Sequence, residues 1–140
     1  EKEKAMATPT ITVPSTTPSN TTWLVCDMDG TLLPTPTKAK GFYKPVNESP
    51  CFAPLKRWLL SGRSLLVITT ASYRMFRQMY APLEETLKAA PPTANFLMSG
   101  YGGAMLYVYD HDTHTLKEDE EYREKMKTAF DPAVQDKVEN

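Results

Sequence analysis

TWLVCDMDGTLL, residues 22–33, decides how this chain is read. Thr22 to Cys26 is a short apolar run, the pattern of a strand buried on both faces. It stops abruptly at Asp27-Met28-Asp29-Gly30-Thr31, a polar turn whose glycine permits a tight bend. Two carboxylates two residues apart at the end of a buried strand invite a chemical reading. A carboxylate nucleophile splits phosphoryl transfer into two easier displacements through an aspartyl-phosphate. A second carboxyl group nearby can give a proton to the leaving oxygen and later take one from water. Two anionic carboxylates repel an anionic substrate, so a divalent cation is required, and magnesium suits oxygen ligands and phosphate oxygens.

Downstream, residues 34–48 hold Pro34, Pro36, Gly41 and Pro45 and read as an irregular loop. Ser49 reads as an N-cap with Pro50 at the first helical position, Phe52, Leu55 and Leu59 keep helical spacing, and Gly62 is the stop. Ser64 to Thr70 reads as a second buried strand. A helix is expected from Ser72 to Ala89, with Pro82 threatening a kink. Ala94 to Met98 reads as a third strand, followed by the turn Ser99 to Gly103. Ala104 to Tyr109 and Thr115 to Lys117 read as a hairpin around Asp110 to His114. Glu118 to Glu121, followed by Arg123, Lys125 and Lys127, complements a helix dipole. Asp131-Pro132 resembles the start of another helix.

Strands alternating with helices imply an α/β fold with a parallel sheet and right-handed crossovers. Ligands of such sheets gather at the carboxyl ends of the strands. Three polar groups fall at such ends: Asp27 with Asp29, Thr69 with Thr70, and the Ser99–Gly103 turn. The expected organisation is a disordered arm over residues 1–21, rich in Thr, Pro and Ser, a core over 22–117, and the start of a second unit over 118–140.

WLVCDMDGTLL is similar to the first motif of the haloacid dehalogenase superfamily, a hydrophobic strand ending in D-x-D-G-T. The resemblance implies a three-layer Rossmann-like core, here incomplete, with a hairpin and the start of an α+β cap. It implies that Asp27 is the nucleophile and a metal ligand. Asp29 is then the acid/base, with its carbonyl on the metal, and the backbone around Met28, Gly30 and Thr31 holds phosphate. The second motif of that superfamily is a Ser or Thr ending the next strand, often in T-G-R. LLVITTAS aligns Thr70 with the Thr, Ala71 with the Gly and Ser72 with the Arg, so that Gly and Arg are absent here; Thr70 and Ala71 join the expected phosphate site, while Thr69 competes with Thr70. The interval between Asp27 and Thr70 is too short for a large cap. FLMSGYGGAMLY and EDEEYREKMKTAFDPAV resemble the approach to a C2-type cap and its first segment in sucrose-phosphate phosphatases and Cof-like sugar phosphatases.

The function implied is a magnesium-dependent phosphohydrolase acting on a small phosphorylated metabolite, a sugar phosphate. The alternatives are a phosphomutase resembling phosphomannomutase, or a truncated non-catalytic binding module. The superfamily's Lys and its G-D-x-x-x-D acidic cluster are not found in this sequence. The 140 residues therefore read as an N-terminal fragment or truncated relative, expected to turn over phosphate esters poorly by itself.

Other features carry less. His111 and His114 read as a solvated turn, Cys26 as a small hydrophobe, and Arg74, opening the second helix near the site, as a surface arginine, with contact to substrate as the alternative. Tyr101, Tyr107 and Tyr109 read as packing. A net charge of −1 gives no electrostatic reason for nucleic acid or an anionic membrane as partner. No apolar run spans a bilayer and no secretory signal is visible. Two cysteines make no disulfide framework, so a reducing, cytoplasmic setting is the expectation.

Overall fold

The computed structural model describes residues 22–38 and 41–129. The expected arm over 1–21 and the segment 130–140 lie outside the described residues. The fold is α/β: β1 (Trp23–Asp27), α1 (Phe52–Leu60), β2 (Ser64–Ile68), α2 (Ala81–Ala89), β3 (Phe96–Gly100), β4 (Met105–Asp110), β5 (Thr115–Glu118) and α3 (Glu120–Ala129). The five strands form one mixed sheet in the order β1-β2-β3-β4-β5. β1, β2 and β3 run parallel, with Trp23 opposite Ser64 and Leu65 opposite Phe96. β4 returns antiparallel to β3, and β5 antiparallel to β4, the latter being the expected hairpin.

The core forms between one face of this sheet and the two crossover helices. Leu65, Val67, Phe96 and Met98 pack against Leu55 and Leu59 of α1 and Leu83 and Leu87 of α2, all but fully buried. Each such side chain contributes up to about 1.5–3 kcal/mol by leaving water. Consecutive crossovers of one hand put both helices on the same side. Val25 and Ile68, on the opposite face, stay 56% and 41% exposed. The described residues thus show two layers where three were expected. Among them, no helix is long and apolar enough to cross a membrane.

Helix ends follow local chemistry, with shifts. Ser49 is not the N-cap: α1 starts at Phe52, and Ser49 instead donates its hydroxyl to the Leu32 carbonyl at 2.7 Å while accepting from the Cys51 N–H at 3.1 Å. Gly62 stops α1 as expected. It sits at φ +89°, with its N–H on the Leu59 carbonyl and the Arg63 N–H on that of Trp58, a Schellman closure. Pro82 acts upstream. A proline ring collides with the carbonyl four residues back, here Gln78. The chain widens into a π-turn over Phe76–Tyr80, with the Ala81 N–H bonded to the Phe76 carbonyl, and α2 starts only at Ala81. The third strand begins at Phe96 rather than Ala94 and runs through Ser99 and Gly100, which pair with Leu106 and Met105.

Candidate active site

Asp27 is the last residue of β1, opposite Ile68, and its side chain is exposed. The turn after it is shaped by apolar anchors. Met28 and Leu33 are fully buried and Leu32 is 4% exposed, so the two aspartates are left on the outside. The Met28 carbonyl accepts from the Leu32 and Leu33 N–H groups at 3.0 and 2.9 Å, and Gly30, at φ +80°, donates to the Leu33 carbonyl at 2.7 Å. These bonds bear on the expected phosphate cradle. The Met28 N–H already donates to the Ile68 carbonyl at 3.1 Å and the Gly30 N–H to Leu33, while Thr31 makes only a long 3.4 Å bond to Met28. Of these three N–H groups, that of Thr31 is the most readily diverted to an anion.

Asp29 is not free. Arg74 forks both of its oxygens: Nη1 donates to Oδ1 at 2.9 Å and Nη2 to Oδ2. Nη1 also donates to Gln78 Oε1 at 2.7 Å. Gln78 in turn donates from Nε2 to the Tyr43 carbonyl, and the Tyr43 ring lies 5.1 Å from the guanidinium carbon. The hydrogen bond to Asp29 raises the already high pKa of Arg74, so the cation is permanent. Arg74 was expected to be a surface arginine, but it is a half-buried partner of the proposed acid/base. Sequence placed Arg74 at the opening of the second helix near the site, and the i, i+4 spacing puts Gln78 on its helical face. The 45-residue leap to Asp29 had no local signal.

β2 delivers the third group. Thr69 is 2% exposed and its Oγ1 accepts the Ala71 N–H at 3.0 Å, whereas Thr70 is exposed. Thr70 is therefore the available hydroxyl, and the Ala71 N–H is occupied. The Gly102 and Tyr101 N–H groups donate to the carbonyls of Thr69 and Ala71, fastening the turn after β3 to the end of β2. Tyr101 sits at φ +54°, followed by Gly102 at +64° and Gly103 at +104°. A tyrosine there is strained by about 1–3 kcal/mol, the kind of backbone found at ligand sites. Tyr101 is also 46% exposed and meets Tyr73 edge-on at 6.5 Å, so it is not simply packing. Tyr107 and Tyr109 are: the first packs edge-on against Phe76, and the second is buried. Tyr122 of α3 donates to the Gly103 carbonyl, holding α3 to the same end.

Beside the Asp-Gly turn is a cavity of about 250 Å³, lined by residues of the proline-rich loop, among them Thr35, Phe42 and Lys44. A side chain at Gly30 would meet Thr35 Oγ1 at 3.3 Å, and Thr35 also lines the cavity, so the cavity abuts the Asp-Gly turn.

Other polar groups are committed elsewhere. His111 Nε2 lies 2.7 Å from the Ala94 carbonyl and His114 Nδ1 lies 3.3 Å from the Tyr109 hydroxyl. The Cys26 thiol is pushed up by burial and then by Cys51, and both cysteines are free. Among the described residues, no group of three or more His, Cys, Asp or Glu is arranged to hold a metal. In comparisons with known proteins, no family model, curated protein or solved structure matches this chain.

Proposed function

We propose that this chain carries the nucleophile half of a magnesium-dependent phosphohydrolase site of the haloacid dehalogenase type. Its substrate would be a small phosphorylated metabolite of the sugar-phosphate class. One observation carries the reading. Exposed Asp27 ends β1 and exposed Thr70 lies two residues past the end of the adjacent parallel strand β2, with Asp29 held two residues beyond Asp27. In the proposed reaction, an Asp27 carboxylate oxygen attacks phosphorus and the bond to the leaving oxygen breaks, with Asp29, protonated as the substrate binds on an oxygen released by Arg74, supplying the leaving oxygen's proton. Water then attacks the aspartyl-phosphate, the bond to Asp27 breaks, and Asp29 takes the water's proton. Thr70 donates its hydroxyl to a phosphoryl oxygen.

The donor set suits magnesium in part. The Asp27 carboxylate and the Asp29 carbonyl are hard oxygen ligands, and magnesium keeps several waters. When bound it would neutralise the phosphoryl oxygens. A third acidic ligand is not among the described residues. That shortfall, together with the occupied Met28 and Gly30 N–H groups, favours the second reading, a binding module that captures phosphorylated ligands without turnover. Exposing the chain to acetyl phosphate with magnesium, then mapping peptides by mass spectrometry, tests the first reading. A phosphoryl group on the Asp27 peptide, lost in Asp27→Asn, is the expected result. Phosphate-ester binding with no adduct would leave the binding module.

A further inference from the structure

The Asp29–Arg74 pair carries more than charge balance. A guanidinium has five N–H donors in a rigid fork. Arg74 spends three: two on Asp29 and one on Gln78. One N–H on Nη2 and the Nε–H remain, on a side chain 31% exposed. The guanidinium is also held without Asp29, by Gln78 and by the Tyr43 ring, and Gln78 is 6% exposed and tied to the Tyr43 backbone. A cation fixed from behind with donors to spare is pre-organised for a second anion.

Charge makes that second anion useful. Asp27 and Asp29 together bring two negative charges to the end of β1, and a phosphate ester brings about two more. Among the described residues, Arg74 is the cation in contact with Asp29. Its fork fits a phosphoryl oxygen as it fits a carboxylate.

We infer that Arg74 is a substrate-binding residue that bridges two anions: it fixes Asp29 and gives its unspent N–H groups to an oxygen of the substrate's phosphoryl group. The inference rests on the phosphoryl-transfer reading above. It assigns to the second helical segment a cationic role at the site, from a residue that neither aspartate motif nor threonine motif contains.

The test uses the 140-residue chain with magnesium and inorganic phosphate as probe. In calorimetry, Arg74→Ala is expected to weaken phosphate binding at least about tenfold, and Arg74→Lys to recover only part of the loss, since an ammonium lacks the fork. Unchanged affinity in a folded Arg74→Ala variant overturns the inference. In the wild-type chain the Arg74 Nε–H resonance is expected to shift on phosphate addition, a readout that does not depend on a variant folding. No shift there overturns it equally. The underlying reading fails separately: if magnesium and beryllofluoride form no complex that Asp27→Asn abolishes, the aspartyl-phosphate is lost whatever Arg74 does. If that complex forms and Arg74→Ala binds phosphate as tightly as wild type, only the bridging role falls.

Discussion

The two ends of the parallel strands use the same kinds of residue to opposite effect. At the amino end, Ser64 is fully buried. Its hydroxyl donates to the Thr93 carbonyl at 3.1 Å and accepts from the Asn95 N–H at 2.9 Å and from Asn95 Nδ2. Thr93 donates to the Gly62 carbonyl, Trp58 Nε1 to the Ser64 carbonyl, and His111 meets the Ala94 carbonyl. Every one of these polar groups is spent inside the protein. At the carboxyl end, Asp27 and Thr70 are exposed, Tyr101 is held at positive φ, and Arg74 has donors left. A polar cluster is therefore no mark of a site. What separates the two ends is hydrogen-bonding capacity left over after folding.

The sharpest break between them is Asp27→Asn. It is expected to lower phosphoryl capture by at least about 10³-fold while moving stability by no more than ~0.5 kcal/mol, since the side chain is exposed. Adduct yield and a thermal melt read the two together; a large stability loss would make Asp27 a structural residue after all. Next is the mirror substitution, Ser64→Ala. Orphaning the Thr93 and Asn95 groups is expected to cost about 1–3 kcal/mol in urea unfolding and to leave phosphate affinity untouched.

A finer contrast lies within one dipeptide. Thr70→Val is expected to weaken phosphate binding by about tenfold, the worth of one hydrogen bond to a charged group. Thr69→Val is expected to spare binding and lower stability by about 1 kcal/mol, because it removes the acceptor of the Ala71 N–H. The reverse pattern would move the phosphate contact to Thr69.

The smallest effect concerns pH at the closed end. The Lys117 hydrogen bond, then the Asp112 N–H, hold Asp110 below its ordinary value of 3.8. A depressed carboxyl contributes stability above that ordinary value and loses it as pH falls through the lowered one. Lys117→Met is therefore expected to be slightly less stable than wild type at neutral pH, the difference vanishing in strong acid. Melts across that range check it.

Much of this contrast was legible in residue order. A buried strand broken by two aspartates marked the carboxyl end, and Gly62 marked the helix stop, because both depend on chemistry within a few residues. Pro82 announced a disturbance, but not that the chain would absorb it as a wide turn upstream. The choice between Thr69 and Thr70 was open because it depends on where the strand stops and which way the next residue turns. The Asp29–Arg74 fork was illegible, since only the fold brings the helical turn at Arg74 to the loop after β1, across 45 positions. The third strand began two residues late because Asn95 is claimed by Ser64, a contact across 31 positions.

The outer border of β1 leaves its own signature. Ser64 donates to the Thr22 carbonyl and Met28 to that of Ile68, so even-numbered residues of β1 face β2. The period of two then turns the amides of Trp23, Val25 and Asp27 away from the sheet. In heavy water those three should surrender their protons early, while Leu24 and Cys26, one residue away, hold theirs until the whole sheet opens. The strand that ends in Asp27 thus keeps two clocks, fast and slow, on alternate residues, and a strand laid along that border would stop the fast one.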